Sequence, residues 1–265
     1  MSNDFDRGSH VEPLGGGQYR AQIPDGWQQG KGAFGGLILA ALLRAIEHEE
    51  PEKERTLRAL SGEICAPVLP GEASIRVELL RRGAAVSYFD ARLLQRGEVQ
   101  ARVSAILGAA RPFELRVPPR VAPDQRPWSA LQVLPIGPPF GPVFAQHYEY
   151  RPAGALPLSG GNEATACGWL REKSARERFD APSILGHLDA WWPAVYGVET
   201  VPRPCATVSF TAEIVTDLAL LPSRQPLFHT GRVEALHAGY FLEVRELWSG
   251  PTLVALNQQT MAVLG

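Results

Sequence analysis

An aspartate inside an apolar run is the first residue whose type and setting could do chemistry. Asp189 precedes Trp191 and Trp192, and the apolar spacing predicts a helix over residues 183–196. Aspartate has poor helix propensity, and a carboxylate is costly to bury unless hydrogen bonds satisfy it. We interpret Asp189 as a general base or water-orienting carboxylate, with exposure on the outer side of the helix as the alternative.

Two adjacent amides, Gln258 and Gln259, lie in the predicted last strand, residues 253–263. Successive strand side chains point to opposite faces, so one of the two points inward. A buried amide needs hydrogen-bond partners, which a site water or a substrate carbonyl would supply. The alternation leaves open which glutamine is the inward one.

A glycine-rich segment, GKGAFG at residues 30–35, precedes an apolar helix predicted to run to Ile46. The segment formally matches GxGxxG, but a dinucleotide site requires that motif between the strand and helix of a βαβ unit. Here an antiparallel meander follows the helix. The glycines are better explained by close backbone approach at a helix N-terminus, where free amides can bind an oxyanion.

Other site chemistries lack support in the sequence. There is no GxSxG motif, the cysteines at 65, 167 and 205 are scattered, and the six histidines form no metal-ligand pattern. We therefore expect no metal and no cofactor. If the protein is an enzyme, the attacking group is activated water.

The 265 residues are 45% hydrophobic and 20% charged, with a net charge of -2, as in ordinary globular proteins. No long basic run occurs, so we expect no nucleic-acid partner. No secretory signal and no apolar segment of transmembrane length is present, which predicts a cytoplasmic protein without a membrane partner.

The elements that must position these residues occur twice in the same order. A strand, an apolar helix and a meander are predicted within residues 1–110 and again within residues 143–265. Residues 111–142 are dense in proline, which precludes regular strands and helices over most of that segment. We interpret the chain as an N-terminal repeat, a crossover linker and a C-terminal repeat.

The closing hairpins of the two repeats can be aligned, and Ala105 is then the counterpart of Gln259. An alanine cannot do the work of an amide. The two halves are therefore not equivalent, and we expect one site in each chain.

Several short motifs occur along most of residues 18–263. In chain order they are Trp27 with FGG at 34–36, GWLR at 168–171, LDA at 188–190 with PAV at 193–195, ATVSFT at 206–211, and LVALNQQ at 253–259. In this order and spacing they resemble the double hot-dog acyl-CoA thioesterases, the thioesterase II or TesB-like family. The resemblance implies an α+β fold of two tandem hot-dog repeats, each a long helix wrapped by an antiparallel sheet. It also implies an acyl-CoA substrate, and because sheet edges pair, we expect a homo-oligomer of two or more chains.

In that family an aspartate on the second helix, a threonine at the start of the next strand and a glutamine in the last strand position the hydrolytic water. The matching residues here are Asp189, Thr207 and Gln259. The family often carries an acidic residue two positions after the threonine, where this chain has Ser209.

The substrate would contact the first helix and the tryptophans. The resemblance places the amides of Gly35 or Gly36 near the thioester carbonyl oxygen. The acyl channel would be lined by the region of Phe34, Trp191 and Trp192.

Two other functions remain open at this point. A hot-dog dehydratase or hydratase would need a histidine paired with an acid, and no histidine lies in such a motif. A non-catalytic acyl-binding protein would keep the apolar helices, but would not need Asp189, Thr207 and Gln259 close together. The distances among these three side chains separate the alternatives.

Overall fold

The computed structural model describes residues 3–112 and 117–264. The first half contains α1 (Asp4–Gly8), β1 (Val11–Gly15), β2 (Gln18–Ile23), β3 (Gln28–Gln29), β4 (Gly32–Ala33), α2 (Gly35–Glu49), β5 (Thr56–Ile64), β6 (Gly71–Arg82), β7 (Val86–Gln95) and β8 (Glu98–Gly108). The second half contains β9 (Tyr148–Pro152), β10 (Thr165–Glu172), α3 (Ala181–Asp189), β11 (Cys205–Ile214), β12 (Leu227–His237), β13 (Tyr240–Ser249) and β14 (Thr252–Val263).

One 12-stranded antiparallel sheet has the order β1-β2-β6-β7-β8-β5-β11-β14-β13-β12-β10-β9. Strand β5 pairs with β11 at the middle, and the strand order on one side of this pair repeats on the other. Within this sheet each half contributes two strands before its main helix and four strands after it. The sequence predicts the main helix, the four later strands and at least one earlier strand in each half. The sequence does not predict α1 and β1.

Helix α2 is the central buried element. Residues 36–43, Ala45 and Ile46 are buried between β6, β7 and β8 on one side and α3 on another. The glycines ahead of it form the β3–β4 hairpin, where Gly30 has a φ of 63° that favours glycine. The predicted apolar helix is confirmed, and it extends past the predicted end at Ile46.

Helix α3 starts as predicted and ends earlier. Asp180 caps it by accepting from the backbone N–H of Ser183, and Pro182 lies in the first turn. The predicted extension to Tyr196 is wrong, because α3 has nine residues and Asp189 is the last. Pro193 disfavours helical backbone at the residue before it, and a 3-10 turn follows over Ala194–Gly197.

Residues 117–142, the described part of the segment interpreted as a linker, contain little regular structure. Its regular structure is one 3-10 turn, Trp128–Ala130, and an isolated bridge between Leu134 and Tyr150. The Trp128 ring lies beside the guanidinium groups of Arg151 and Arg171, at 4.2 and 4.8 Å. The linker is therefore fixed to the outer strands of the second half by cation–π contacts.

Two smaller features complete the fold. Residues 143–147 form a 3-10 turn where the sequence predicts the start of a strand, and β9 begins only at Tyr148. No helix in the described ranges is long and apolar enough to span a membrane.

Candidate active site

Asp189 lies where the C-terminal end of α3 meets the N-terminal end of α2. Its side chain is buried, with the residue 9% exposed. Oδ2 accepts a hydrogen bond from the backbone N–H of Gly36 at 2.7 Å, and Oδ1 accepts one from Nε2 of Gln259 at 3.2 Å. The carboxylate therefore joins the two halves of the chain.

Gln259 is the inward glutamine of β14. Gln258 is exposed, whereas Gln259 is fully buried. Its Nε2 also donates to Oδ1 of Asn257 at 3.0 Å, and its Oε1 accepts from the hydroxyl of Thr207 at 2.9 Å. The choice between the two glutamines, left open by strand alternation, is resolved in favour of Gln259.

A β-bulge turns Thr207 toward the site. Strand β11 pairs Thr207 with Met261 but Ser209 with Thr260, so Val208 is an extra residue without a partner on β14. Bulges re-aim side chains in this way. Thr207 consequently shares the inner face with Phe210, although regular alternation from Phe210 would turn it outward.

The N-terminal end of α2 is built from glycine because the two helices approach closely there. A Cβ on Gly35 would lie 2.9 Å from Oδ2 of Asp189, and one on Gly36 would lie 3.0 Å from Cα of Gly186. Any larger residue would push the carboxylate or α3 away. The Gly36 amide is engaged by Asp189, while the N–H of Gly35, in the first helical turn, has no acceptor within the helix.

The carboxyl of Asp189 has a raised pKa. Burial is the largest cause, and the charge of Arg245, the Gly36 N–H and the Gln259 amide oppose the shift. A buried carboxyl of this kind is a better proton acceptor than an exposed aspartate.

Three buried polar residues beside the site escape sequence reasoning. They are Asn257 on β14 and the pair Glu243 and Arg245 on β13. Arg245 donates to the main-chain carbonyls at the end of α3, and Glu243 accepts from Arg245. The available signal was the alternation of β13, in which both charges share the inward face with Phe241 and Leu247.

The aromatic residues assigned to the substrate channel belong to one buried hydrophobic cluster. Phe34 is fully buried and stacks on Phe144, with centroids 4.0 Å apart. Trp191 and Trp192 follow Asp189 and pack against Tyr150. Their indole N–H groups are buried and have no acceptor among the residues that the structure describes. Phe34 packs at the start of α2, whereas the tryptophans lie directly after the carboxylate.

The first half lacks these polar side chains. The β7–β8 hairpin ends with Gln95 paired to Glu98, and the β13–β14 hairpin ends with Ser249 paired to Thr252. Counted from these turns, the positions of Glu243, Arg245, Asn257 and Gln259 are filled in the first half by buried Phe89, Ala91, Val103 and Ala105. The register thus gives the same counterpart for Gln259, Ala105, as the sequence alignment.

Within residues 3–112 and 117–264, no cluster of histidine, cysteine, aspartate or glutamate is arranged to hold a metal ion. The histidine nearest Asp189 in sequence, His187, contacts the carbonyl of Ser183 through Nδ1 at 2.8 Å. It therefore points back along its own helix. The groups that can act on a substrate here are a carboxylate, a hydroxyl, an amide and helix N–H groups.

Comparison with solved structures shows the fold. A hot-dog protein of unknown function from Alicyclobacillus acidocaldarius is 24% identical over 100% of this chain and 99% of its own, with a TM-score of 0.91. A thioesterase II described as putative, from Thermobifida fusca, is 19% identical over 99% and 98%, with a TM-score of 0.84. The acyl-CoA thioesterase II TesB2 from Mycobacterium marinum is 15% identical over 98% of each chain, with a TM-score of 0.76. No curated relative matches the chain.

Comparison with family profiles identifies the family. The profile of the acyl-CoA thioesterase N-terminal domain matches residues 23–108, and that of the C-terminal domain matches residues 114–263. Together they cover the two main helices, the strands of the sheet from β5 onward, and the meeting point of Asp189, Gln259 and Gly36. The chain belongs to the acyl-CoA thioesterase family of hot-dog fold and is a thioester hydrolase.

Proposed function

We propose that this protein hydrolyses acyl-CoA thioesters to a free acid and CoA, using a water activated by Asp189 and held by Thr207 and Gln259. The observation that carries the proposal is the continuous hydrogen-bonded chain from Thr207 through Gln259 and Asp189 to the Gly36 amide. These groups come from β11, β14, α3 and α2. Such a chain orients a carboxylate and an amide around one point, as water activation requires.

The reaction needs one proton acceptor and one oxyanion donor. The water oxygen bonds to the acyl carbon while Asp189 takes one of its protons. The tetrahedral intermediate then collapses, the C–S bond breaks, and the departing CoA sulfur receives that proton. No cofactor is required, since the thioester carbonyl is already electrophilic.

The donor for the oxyanion is assigned to the N–H of Gly35. Gly36 donates to Asp189 and has no second proton to give. The Gly35 amide belongs to the same helix N-terminus, whose positive end favours a developing negative charge. Gly36 thus orients the base, and Gly35 contacts the substrate.

The acyl chain is assigned to the aromatic region beside the carboxylate. Trp191 and Trp192 adjoin Asp189 in the chain, and Phe34 precedes the two glycines. Apolar walls with a few fixed polar groups are typical of small-molecule sites.

The finer architecture belongs to the same proposal. We assign residues 1–110 and 143–265 to two hot-dog repeats, each with its helix wrapped by its half of the sheet, and residues 111–142 to the crossover. The outer edge strand β1 supports assembly into a homo-oligomer of two or more chains. A cytoplasmic location remains a prediction from the sequence.

The two alternative functions are less well supported. A dehydratase would pair a histidine with the acid, but His187 contacts Ser183 and His229 stacks on Trp191 with centroids 5.1 Å apart. A non-catalytic binding protein gives no reason for Asp189, Thr207 and Gln259 to form one chain of hydrogen bonds.

Replacement of the base tests the proposal. Asp189→Asn keeps the size of the side chain and removes the proton acceptor, so acyl-CoA hydrolysis should fall by about two orders of magnitude or more. Release of the CoA thiol is measured across a series of acyl chain lengths. Asp124→Asn makes the same change at an exposed position and should retain wild-type turnover. Near-normal turnover in folded Asp189→Asn would refute the mechanism.

A further inference from the structure

An almost completely buried ion pair lies next to the site. Arg245 and Glu243, both on β13, are 1% and 0% exposed, and Nε of Arg245 donates to Oε1 of Glu243 at 2.8 Å. Removing two charges from water is expensive, and such a pair is often no more stabilising than apolar residues of similar volume. Its presence therefore calls for a reason other than stability.

The pair holds the segment that contains Asp189. Nη1 of Arg245 donates to the main-chain carbonyls of Leu188, Asp189 and Trp191, at 3.0, 3.4 and 3.3 Å. The last carbonyls of a helix lack N–H donors within the helix, and the guanidinium supplies such donors. Oε2 of Glu243 accepts from the N–H of Ala194 at 2.8 Å. Both ends of the short stretch after α3 are thereby tied to one strand.

Strand β13 also pairs with β14, the strand that contains Gln259 and Asn257. On the β13–β14 ladder, Glu243 lies opposite Gln259 and Arg245 lies opposite Asn257. The groups that fix the main chain of Asp189 and the group that donates to its carboxylate are thus parts of one rigid pair of strands.

The first half of the chain provides an internal comparison. At the positions equivalent to Glu243 and Arg245 it carries Phe89 and Ala91, both fully buried. The equivalent strand pair therefore has apolar residues at these two positions, where no site residue has to be held. The fold does not require the ion pair.

We propose that Arg245 and Glu243 are positioning residues of the hydrolytic site, which hold the main chain from Leu188 to Ala194 and so keep the Asp189 carboxylate aligned with Gln259 and the Gly36 amide. The proposal rests on the function proposed above for Asp189. Neither residue is assigned a contact with the substrate.

The pair also sets the charge around the base. The ionisable groups that surround Asp189 are Arg245 and Glu243 on β13 and the hydroxyls of Tyr148 and Tyr150 on β9. His229 on β12 has a pKa well below its usual value, because it is buried and, to a lesser extent, because of the positive charge of Arg245. The positive charge of Arg245 lowers the pKa of Asp189, so its removal raises that pKa and the base is protonated at a higher pH.

The test replaces the ion pair with its two counterparts from the first half. The double variant Glu243→Phe with Arg245→Ala replaces the pair with the residues of the first half, and so leaves no buried unpaired charge. We expect a folded protein whose kcat is lower by about tenfold or more, because a misplaced catalytic group slows the reaction. KM should change little. The acidic limb of kcat/KM should move to higher pH, because the positive charge that lowers the pKa of Asp189 is removed. Arg245→Lys, which retains the charge, should keep the limb near its wild-type position.

Two further measurements complete the experiment. Arg232→Met removes an arginine from the exposed face of β12 and should change neither kcat nor the limb. Titration of 13C-labelled aspartate carboxyls, with the Asp189 signal assigned through Asp189→Asn, reports the Asp189 pKa without any turnover. An inactive wild type would therefore count against the proposed function, while the NMR shift would still test the role of Arg245.

Two outcomes would overturn the positioning role. One is a folded double variant with wild-type kcat and an unmoved Asp189 titration. The other is a double variant that does not fold, because the pair would then be a requirement of the core.

Discussion

At the scale of single residues, the position of Asp189 is unfavourable for one helix and favourable for the other. A carboxylate at the C-terminal end of α3 faces the negative end of that helix dipole. The same carboxylate meets the positive end of α2 through the Gly36 N–H. Because the two helix ends meet at this point, the charge is stabilised where either helix alone would not hold it.

Gly35 leaves room for the Asp189 carboxylate because it has no Cβ. In Gly35→Ala the new Cβ would lie 2.9 Å from Oδ2 of Asp189, closer than such contacts normally are. The carboxylate must shift, and we expect kcat to fall by about tenfold to a hundredfold. The thermal midpoint should change little, because alanine is a better helix former than glycine.

The matched control for this variant is Gly83→Ala. There the new Cβ would lie 3.5 Å from the Val86 carbonyl oxygen, an ordinary contact, in the β6–β7 turn. Its thioesterase activity should equal that of the wild type. Equal activity in Gly35→Ala as well would show that the carboxylate has freedom that the structure does not indicate.

At the scale of elements, ion pairs connect the short N-terminal helix α1 to both main helices. Asp6 is paired with Arg44 of α2 at 2.6 Å and with Arg176, which precedes α3, at 3.1 Å. Arg44 also reaches Asp180, the N-cap of α3, at 3.1 Å. A partly buried network of ion pairs therefore connects α2 and α3, the helices on which Gly36 and Asp189 lie. Such a network stabilises a fold more than isolated surface pairs do.

An apolar anchor on α1 supports the same contact. Phe5 is 1% exposed and packs over Gly186 of α3, where an added Cβ would come within 2.5 Å of its ring. Phe5→Ala removes this ring and leaves a cavity beside the helix crossing, so we expect the free energy of unfolding to fall by about 3–5 kcal/mol. Denaturant titration measures the loss.

Phe140→Ala is the control for that cavity. Phe140 is 93% exposed in the linker, and its truncation should alter stability by no more than about 0.5 kcal/mol. If Phe5→Ala were as stable as this control, α1 would not be part of the cooperative core.

At the scale of the whole molecule, the two halves share a topology but differ in what they bury. The second half contains charged and polar groups where the first contains apolar ones, and it also buries two histidines, His187 and His229. Burial lowers the pKa of His187 to about 4, and burial with the charge of Arg245 lowers that of His229 well below its usual value. The stability of the molecule should therefore depend on pH.

The sign follows from the unfolded chain, in which these histidines become protonated as the pH falls below about 6.5. The folded protein keeps them neutral, so unfolding is favoured at acidic pH by up to about 1.4 kcal/mol per pH unit for each histidine. His229→Phe keeps an aromatic ring against Trp191 and removes one of the two buried imidazoles. Its loss of stability between pH 7 and pH 5 should be smaller than that of the wild type in denaturant titrations.

His237→Phe makes the same change at an exposed position of β12 and should retain the wild-type dependence on pH. An unchanged dependence in His229→Phe would mean that His229 is protonated in the folded protein or hydrated there.

Much of the architecture could be read from residue types and their periods. The repeated order of strand, helix and meander and the N-cap at Asp180 are local patterns, and each is present in the structure. Asp189 was also identifiable, because a carboxylate in an apolar segment is conspicuous. The end of α3 was not identifiable, because the apolar spacing in the sequence continues to Tyr196.

The remaining features depend on contacts between segments distant in the chain. Helix α3 ends at Asp189, where Arg245 of β13 donates hydrogen bonds to its last carbonyls. Thr207 faces inward only because β14 pairs around the bulge at Val208. The Gly36 N–H meets a carboxylate 153 residues later. Periodicity reports which face of an element is apolar, whereas hydrogen bonds across elements are decided by how those faces pack, and the site consists of such bonds.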